Sequence, residues 1–199
     1  PRRLAGRARM TGFRRETDRL VLRDWRDDED WAAFFRHTNN QRVMRWLGEL
    51  LGPAEQLEMR ERVAACAAEH GHCFWLVERT ADGGHLAGEI LGFCGLKRAN
   101  APGSTITGAF EIGWRLREAA WGHGYAKEAA TASLEAGFAR FGADEIFALT
   151  VAGNTASWGL MTRLGMRRRT ELDYPDDRYA GELRDTMVYS LTRDQWAGR

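Results

Sequence analysis

The feature that most constrains the fold is a short glycine loop between a predicted strand and a predicted helix. The strand is the alternating run Phe110–Leu116, the loop is Trp121–Gly122–His123–Gly124–Tyr125–Ala126, and an alanine-rich helical run then continues to about Phe141. Glycines leave backbone N–H groups unobstructed, and a helix start adds unpaired N–H groups and the positive end of its dipole. Such a unit can hold an anion, best a phosphate. Two glycines at a helix start are equally typical of a simple tight turn, so the rest of the chain has to distinguish these readings.

Length and composition favour one globular domain. The 199 residues are 44% hydrophobic and 29% charged, and no apolar run approaches the roughly 20 residues that span a bilayer. No charged-then-apolar leader opens the sequence. The three cysteines Cys66, Cys73 and Cys94 are too few and too irregularly spaced for a disulfide framework. We therefore expect a cytoplasmic protein with no membrane partner.

The charge is distributed unevenly. Residues 1–15 hold six arginines and no acid, and subtracting them from the net charge of +1 leaves the remaining body at −5. This predicts a disordered basic arm over residues 1–15, within which Met10 is an alternative start. A basic arm can contact nucleic acid, but an acidic body behind it disfavours a polyanionic partner and suits a cationic one.

Residue patterns predict a mixed α/β order of elements. The predicted helices run from Asp27 to Asn39, from Pro53 to His70, from the glycine loop to about Phe141 and from Asn154 to Leu164. The predicted strands are Leu20–Asp24, Phe74–Glu78, Ile90–Leu96, Phe110–Leu116, Glu145–Val151, Met166–Arg169 and Leu183–Leu191. The pair His70 and His72 beside Cys73 superficially suggests a metal site, but no second ligand pair lies nearby in sequence, so cap and core roles are favoured.

Four stretches together resemble one family. They are Glu16–Arg23, Glu111–Leu116, Trp121–Ala129, and Asn154–Ser157 followed by Arg163–Met166. In this order and spacing they resemble the GNAT superfamily of acetyl-coenzyme A-dependent N-acetyltransferases, and within it the RimJ/RimL-like branch that acetylates the N-terminal alanine of ribosomal proteins. The resemblance implies a single α+β domain over residues 16–199. It implies a central, mostly antiparallel, twisted sheet of about seven strands with one splayed parallel pair, and helices on both faces.

The resemblance also implies where acetyl-CoA, as co-substrate, is held. The pyrophosphate is expected on the backbone of the loop residues Gly122, His123, Gly124, Tyr125 and Ala126. Trp121 stands where the superfamily has glutamine or arginine. The pantetheine arm is expected to pair like an added strand with Trp114, Arg115 and Leu116. Asn154 is expected to bond the pantetheine amide, although it is also a good helix cap. No metal is expected.

Two residues are candidates for the chemistry. Many superfamily members protonate the leaving thiolate with a tyrosine seven residues after the asparagine, but here that position is Met161. Ser157 stands where this branch carries a serine suited to the task, although it can instead serve the helix start. Glu111 is the best candidate for a base, acting through a water, with a solvated strand carboxylate or an amine-pairing group as the alternative.

The acceptor is the least constrained part. The leading hypothesis is an N-terminal α-amine of a protein, because an α-amine needs less help from a base than a lysine does. A small-molecule amine such as an aminoglycoside, polyamine or amino acid derivative is the alternative, and a catalytically silent CoA-binding sensor is another. A homodimer is left open.

Overall fold

The computed structural model describes residues 12–199. Within them the strands are β1 Arg14–Glu16, β2 Leu20–Arg23, β3 Phe74–Arg79, β4 Ile90–Arg98, β5 Phe110–Leu116, β6 Glu145–Val151, β7 Arg167–Arg168, β8 Tyr174–Pro175 and β9 Asp185–Thr192. The helices are α1 Asp28–Thr38, α2 Gln41–Met44, α3 Pro53–His70, α4 Tyr125–Ala139, α5 Thr155–Arg163 and α6 Arg193–Ala197. None of these helices has the length and apolar character that a bilayer span requires.

The helix ends follow from local chemistry. The Asp27 carboxylate caps α1 by accepting from the backbone N–H groups of Glu29 and Asp30. Pro53 occupies the first turn of α3, where its missing N–H costs nothing. Gly71 then ends α3 in the left-handed conformation, with φ of 73°. The predicted boundaries of these two helices are confirmed.

The nine strands form one sheet in the order β1-β2-β3-β4-β5-β6-β9-β7, and β8 pairs with β9. Every pairing is antiparallel except β5 with β6, which run parallel. The predicted α+β class with a mostly antiparallel sheet and one parallel pair is confirmed. The two strands that the prediction lacked, β1 and β8, are only three and two residues long, too short for a periodic pattern.

Helices cover both faces of the sheet, as the alternation along β4 shows. Phe93 packs with Trp31, Phe34 and Val63, which belong to α1 and α3. The next residue, Cys94, points to the opposite face and belongs to the main core, which α4 and α5 cover. One face therefore carries α1 and α3, and the other carries α4 and α5.

The parallel pair separates soon after it begins. β5 and β6 are in register only at Phe110 with Ile146 and at Glu111 with Phe147. From Ile112 and Ala148 onward the two strands are not paired with each other, whereas their outer edges remain fully paired with β4 and β9. The splayed pair expected from the family resemblance is present, and it opens a gap in the middle of the sheet.

The predicted basic arm is too long. Phe13 is only 6% exposed and its ring stacks on Trp75 at 3.8 Å. Arg14 opens β1 and pairs with Arg23 of β2. The aromatic anchor therefore brings residues 12–15 into the domain, and the prediction of a disordered arm is wrong for them. Residues 1–11 of that arm lie outside the described part of the chain.

Candidate active site

The gap between β5 and β6 opens into a cleft of about 1570 Å³. The cleft is walled by β5 and β6, by the glycine loop, by the start of α5 and, opposite them, by α2 and α3. Ten of the twelve predicted site residues line it: Glu111, Trp114, Arg115, Leu116, Trp121, Gly122, Gly124, Ala126, Asn154 and Ser157. The structure thus brings together residues that are up to 46 positions apart in the sequence.

The glycine loop presents a bare helix start to the cleft. Gly122 and Gly124 both adopt left-handed backbone conformations, with φ of 78° and 81°, which side chains disfavour. Gly124 is the N-cap of α4, and no side chain of the described residues caps the helix. The first N–H groups of α4 are therefore left for an external acceptor, and Lys127 adds an exposed cation in the wall beside them.

The side chains of His123 and Tyr125 are directed away from the cleft. Tyr125 is 2% exposed, and its hydroxyl donates to the His85 carbonyl at 3.0 Å and accepts from Arg79 Nε at 3.2 Å. The His123 ring stacks on His85 at 3.9 Å. Only the backbone of these two residues can therefore serve a ligand in the cleft.

A polar clamp from the first hairpin fixes the loop and its helix. Glu128 of α4 accepts hydrogen bonds from the Thr17 hydroxyl at 2.6 Å and from Arg19 Nε at 2.8 Å. Arg19 also donates to the His123 carbonyl at 3.0 Å. Thr17 and Arg19 belong to the opening family-like stretch, to which the sequence assigned no role. They are positioning residues, because they hold the glycine loop against the sheet.

Trp121 is tied to the end of β5. Its indole N–H donates to the Leu116 carbonyl at 2.9 Å, while 44% of the residue is exposed at the rim of the cleft. This bond fixes the distance between the strand end and the loop. It also occupies an acceptor that the pantetheine prediction had left free. The β5 groups available for strand-like pairing are therefore those nearer Trp114.

Asn154 and Ser157 lie at the start of α5. Asn154 caps the helix, because its Oδ1 accepts from the Ser157 backbone N–H at 3.3 Å. The cap uses only the oxygen of the amide, so the NH₂ group remains available as a donor in a residue that lines the cleft. Within residues 12–199 the Ser157 hydroxyl takes no part in the cap. Met161, at the position where many relatives carry a tyrosine, is 1% exposed and lines the cleft with its thioether side chain.

Glu111 forms an ion pair with Lys97. The two residues are direct cross-strand partners on β5 and β4, and Lys97 Nζ lies 2.7 Å from Glu111 Oε2. Glu111 is 8% exposed and lines the cleft. Lys97 is absent from the predicted site because its role depends on the register of β4 against β5, which cannot be read from the sequence.

Arg115 lies on the same face of β5 as Glu111. Its guanidinium lies 4.5 Å from the Phe34 ring centroid and contacts the sulfurs of Met44 at 3.0 Å and Met59 at 3.2 Å. Burial lowers the pKa of Arg115 to about 10, because the charged form has lost most of its hydration. The side chain thus lies in the cleft wall, although the prediction had assigned only its backbone to the coenzyme.

The cleft is basic. Among residues 12–199 its wall contains two acidic side chains, Glu111 and Asp176, and both are in ion pairs, with Lys97 and with Arg178. The cations of the wall are Arg42, Arg45, Arg62, Lys97, Arg98, Arg115, Lys127, Arg163 and Arg178. The expectation that an acidic body selects a cationic partner is wrong for this surface, because net charge averages over the whole molecule. Such a wall attracts anions.

His72 and the three cysteines lie in structural surroundings. His72 is 2% exposed and its Nδ1 lies 2.9 Å from the Leu96 carbonyl. Cys66, Cys73 and Cys94 are free thiols. Across residues 12–199 no group of three or more potential metal ligands is close enough to hold an ion.

The cleft fits acetyl-CoA on three observations. Its volume of about 1570 Å³ exceeds the 300–1,000 Å³ typical of pockets for drug-sized ligands. The unpaired edge of β5 offers backbone groups to an extended amide-bearing arm. The uncapped start of α4, with Lys127 beside it, offers N–H groups and positive charge to phosphates.

Comparisons with known proteins agree with this geometry. The model of the acetyltransferase (GNAT) domain family matches residues 19–167. The uncharacterized N-acetyltransferase YoaA of Bacillus subtilis (strain 168) is 32% identical over 181 residues, which cover 89% of this chain and 96% of YoaA. The structure of an acetyltransferase from Agrobacterium tumefaciens str. C58 has a TM-score of 0.74 at 20% identity, over 95% of this chain and 99% of that one.

A further similar structure is that of spermidine N-acetyltransferase from Vibrio cholerae in complex with CoA and spermine. It has a TM-score of 0.70 at 15% identity, over 91% of this chain and 99% of that one, which shows a shared fold. The family model and YoaA together cover most of the chain. The chain is therefore a member of the GNAT acetyltransferase family, an acyltransferase that uses acetyl-CoA to acetylate an amine.

Proposed function

We propose that the acceptor is an α-amine, specifically the N-terminal α-amine of a protein, as in the RimJ/RimL-like branch that the sequence resembles. One observation carries this proposal. Glu111, the carboxylate of β5 that lines the cleft, forms an ion pair with Lys97 at 2.7 Å. The other acidic side chain of the wall, Asp176, is engaged by Arg178 at 2.6 Å. A site whose two described carboxylates are both in ion pairs is matched to an amine that deprotonates easily.

The magnitudes favour the α-amine clearly. Deprotonation at pH 7.5 costs about 0.5 kcal/mol for an α-amine with a pKa of ~7.8, and about 4 kcal/mol for a lysine with a pKa of ~10.4. A lysine acceptor therefore requires a site that supplies roughly 3.5 kcal/mol more. A carboxylate that is already paired with an ammonium group, as Glu111 is with Lys97, is poorly suited to deprotonate a lysine acceptor.

The residues divide the chemistry as follows. Acetyl-CoA supplies the acetyl thioester. Glu111, through a water, takes the proton that the amine loses as its nitrogen bonds to the acetyl carbon. The Ser157 hydroxyl donates a hydrogen bond to the sulfur as the carbon–sulfur bond breaks and negative charge develops there. Asn154, the glycine loop and the edge of β5 near Trp114 orient the coenzyme, and no metal is required.

The proposal is tested by measuring thiol release with two matched peptides. One peptide has a free α-amine and no lysine, and the other is the same peptide with an acetylated N-terminus and one internal lysine. At pH 7.5 we expect kcat/KM to be about 300-fold higher for the free α-amine, close to the ratio of deprotonated amine in the two peptides. Comparable turnover of the two peptides contradicts the proposal.

A small-molecule amine is the second candidate acceptor. The charge of the cleft limits which small amines are suitable. A wall with nine cationic side chains and two ion-paired acids repels polyamines and aminoglycosides, which are polycations. Spermidine, added as a third acceptor in the same assay, is therefore expected to be a poor substrate. Preferred turnover of spermidine over the α-amine peptide would replace the proposed acceptor class.

A further inference from the structure

Arg115 is a buried cation that has no counter-ion among residues 12–199. Three arginines are buried among residues 12–199, namely Arg23, Arg79 and Arg115, which are 5%, 5% and 6% exposed. Arg23 forms ion pairs with Asp30 at 2.6 Å and Glu78 at 2.9 Å, and Arg79 with Asp82 at 2.8 Å. In the described chain no carboxylate lies within ion-pair distance of Arg115, although a buried charge is ordinarily paired.

The contacts that Arg115 does make are weak substitutes for an ion pair with a carboxylate. Two of its nitrogens contact the thioether sulfurs of Met44 and Met59, which are poor hydrogen-bond acceptors. Its Nε–H is buried and has no hydrogen-bond partner within the described part of the chain. The Phe34 ring, 4.5 Å away, stabilises the positive charge through its π face but accepts no conventional hydrogen bond. The fork of the guanidinium therefore retains its capacity for a planar, bidentate anion.

The position of Arg115 points to the acceptor as the source of that anion. On β5 the side chains of Glu111 and Arg115 lie on one face, with Gly113 between them. Their Cα atoms are about 13 Å apart for four residues of strand. The Phe74 ring covers Gly113, because a Cβ there would lie 2.9 Å from the ring. An acceptor that reaches Glu111 along this wall passes over Phe74 and brings its next groups toward Arg115.

The coenzyme phosphates are the less suitable source. Arg115 points to the sheet face that carries α1 and α3, since it contacts Phe34 and Met59. The glycine loop leads into α4, which packs on the opposite face of the sheet. The phosphate cradle, formed by the glycine loop of residues 122–126 and the start of α4, and the Arg115 guanidinium therefore belong to different sides of the gap between β5 and β6.

We infer that Arg115 binds a carboxylate of the acceptor. The inference rests on the proposed transfer to an α-amine and adds that the amine belongs to an anionic molecule. The carboxylate is either an acidic side chain close to a protein N-terminus or the free C-terminal carboxylate of a small peptide-like acceptor. Both present the same planar group, which the guanidinium fork matches.

Two matched pairs of acceptors test the inference and distinguish the sources. The first pair is Ala-Asp-Ala-amide and Ala-Asn-Ala-amide, which differ by one charge at nearly equal size. The second pair is Ala-Ala with a free C-terminus and Ala-Ala-amide. With saturating acetyl-CoA we expect the carboxylate member of at least one pair to have a kcat/KM about tenfold higher or more, as for a charge-assisted hydrogen bond. Equal values within both pairs overturn the inference.

Variants then assign the preference to Arg115. Arg115→Gln is expected to bring the ratio within a pair to about one, and Arg115→Lys to leave a reduced preference, since a point charge replaces the fork. Met59→Leu is the matched control, because it removes a sulfur contact at similar volume and keeps the guanidinium. A preference that persists in Arg115→Gln overturns the inference. So does a large rise in the acetyl-CoA KM with the preference unchanged, which would assign Arg115 to the phosphates.

A binding measurement separates failure of the inference from failure of the proposed function. The N-acetylated forms of both pairs of acceptors mimic the product and need no turnover to bind. In at least one pair we expect the carboxylate member to raise the thermal midpoint of the wild-type protein more than its neutral partner does, and we expect no such difference in Arg115→Gln. This result without any acetyl transfer would contradict the proposed acceptor and support the anion site. Acetyl transfer with no difference within either pair would support the proposed acceptor and contradict the anion site.

Discussion

Lys97 and Glu111 face each other across β4 and β5, with 2.7 Å between the ammonium nitrogen and the carboxylate. The pair lies where β5 and β6 begin to separate, since Glu111 is also the last residue of β5 that pairs with β6. The proposed base is therefore held by its cross-strand partner at the inner end of the cleft.

Replacing Glu111 tests its role as base. Glu111→Gln keeps the shape of the side chain and is expected to lower kcat/KM for an α-amine peptide by about 100-fold, the lower end of what a positioned general base contributes. The measurement is thiol release between pH 6 and 9. Lys97→Met is the control, because it breaks the same ion pair but keeps the carboxylate. If both variants lose activity equally, the ion pair matters as structure and Glu111 is not the base.

Replacing Ser157 tests the hydrogen bond to the leaving sulfur. Ser157→Ala removes the hydroxyl but keeps the backbone N–H that Asn154 caps. We expect kcat to fall about tenfold or more with the thermal midpoint almost unchanged, because one donor to a developing charge is lost and the helix cap is kept. Asn154→Ala is the contrasting variant, since losing the cap costs about 1 kcal/mol of stability. A normal kcat in Ser157→Ala leaves the hydroxyl without a catalytic role.

Replacing Gly124 tests the phosphate cradle. Gly124→Glu introduces a side chain at a φ of 81° and a negative charge at the uncapped start of α4. We expect the KM for acetyl-CoA to rise at least about tenfold, because several aligned N–H contacts worth ~0.3–1 kcal/mol each become unavailable to an anion. Gly142→Glu is the matched control, with a φ of 72°, open space around its Cβ and no place in the cleft wall. An unchanged KM in Gly124→Glu rejects the cradle.

Stability is predicted to depend on pH through Asp30. Burial alone would raise the pKa of Asp30, but hydrogen bonds from Arg23 and from the Arg26 N–H outweigh it and hold the pKa below its usual range. A carboxyl with a lowered folded-state pKa stabilises the fold above its unfolded pKa of ~3.9, and this contribution is lost as the pH falls below that value. The free energy of unfolding should therefore drop steeply in acid.

Asp30→Asn isolates that contribution. At pH 7 we expect the variant to be about 3–5 kcal/mol less stable, because it leaves Arg23 buried with only part of its pairing. The difference in the free energy of unfolding between the variant and the wild type, measured by urea unfolding, should decrease as the pH falls toward 3. Asp144→Asn is the control, since its carboxylate is 98% exposed and 3.6 Å from Arg193. A stability difference that does not change with pH contradicts the assigned charge effect.

The sequence predicts the scaffold of the site well, because the scaffold depends on local patterns. The bounds of β5 and β6 coincide with the predicted strands Phe110–Leu116 and Glu145–Val151. The start of α4 coincides with the glycine loop. Alternation, left-handed glycines and caps act within a few residues, so they can be read without tertiary information.

Long-range contacts could not be predicted in the same way. The partner of Glu111 depends on the register of β4 against β5, and the Thr17 and Arg19 clamp on Glu128 joins residues more than 100 positions apart. The burial of Arg115 depends on α1 and α3 covering its face of the sheet. The predicted strand Leu183–Leu191 starts two residues later, at Asp185, because a 3₁₀ turn occupies Gly181–Leu183.

The short parallel pairing has a mechanical consequence. Within residues 12–199, only two register pairs join the half of the sheet formed by β1–β5 to the half formed by β6–β9. Within the described residues, the backbone amides of residues 112–116 that face the gap do not pair with β6. A ligand that bridges the gap would connect the two halves of the sheet. Its binding should therefore slow amide hydrogen exchange in β5 and in β6 together. The proposed position of the coenzyme in this gap therefore implies that the sheet stiffens when the coenzyme binds and loosens again when the product leaves.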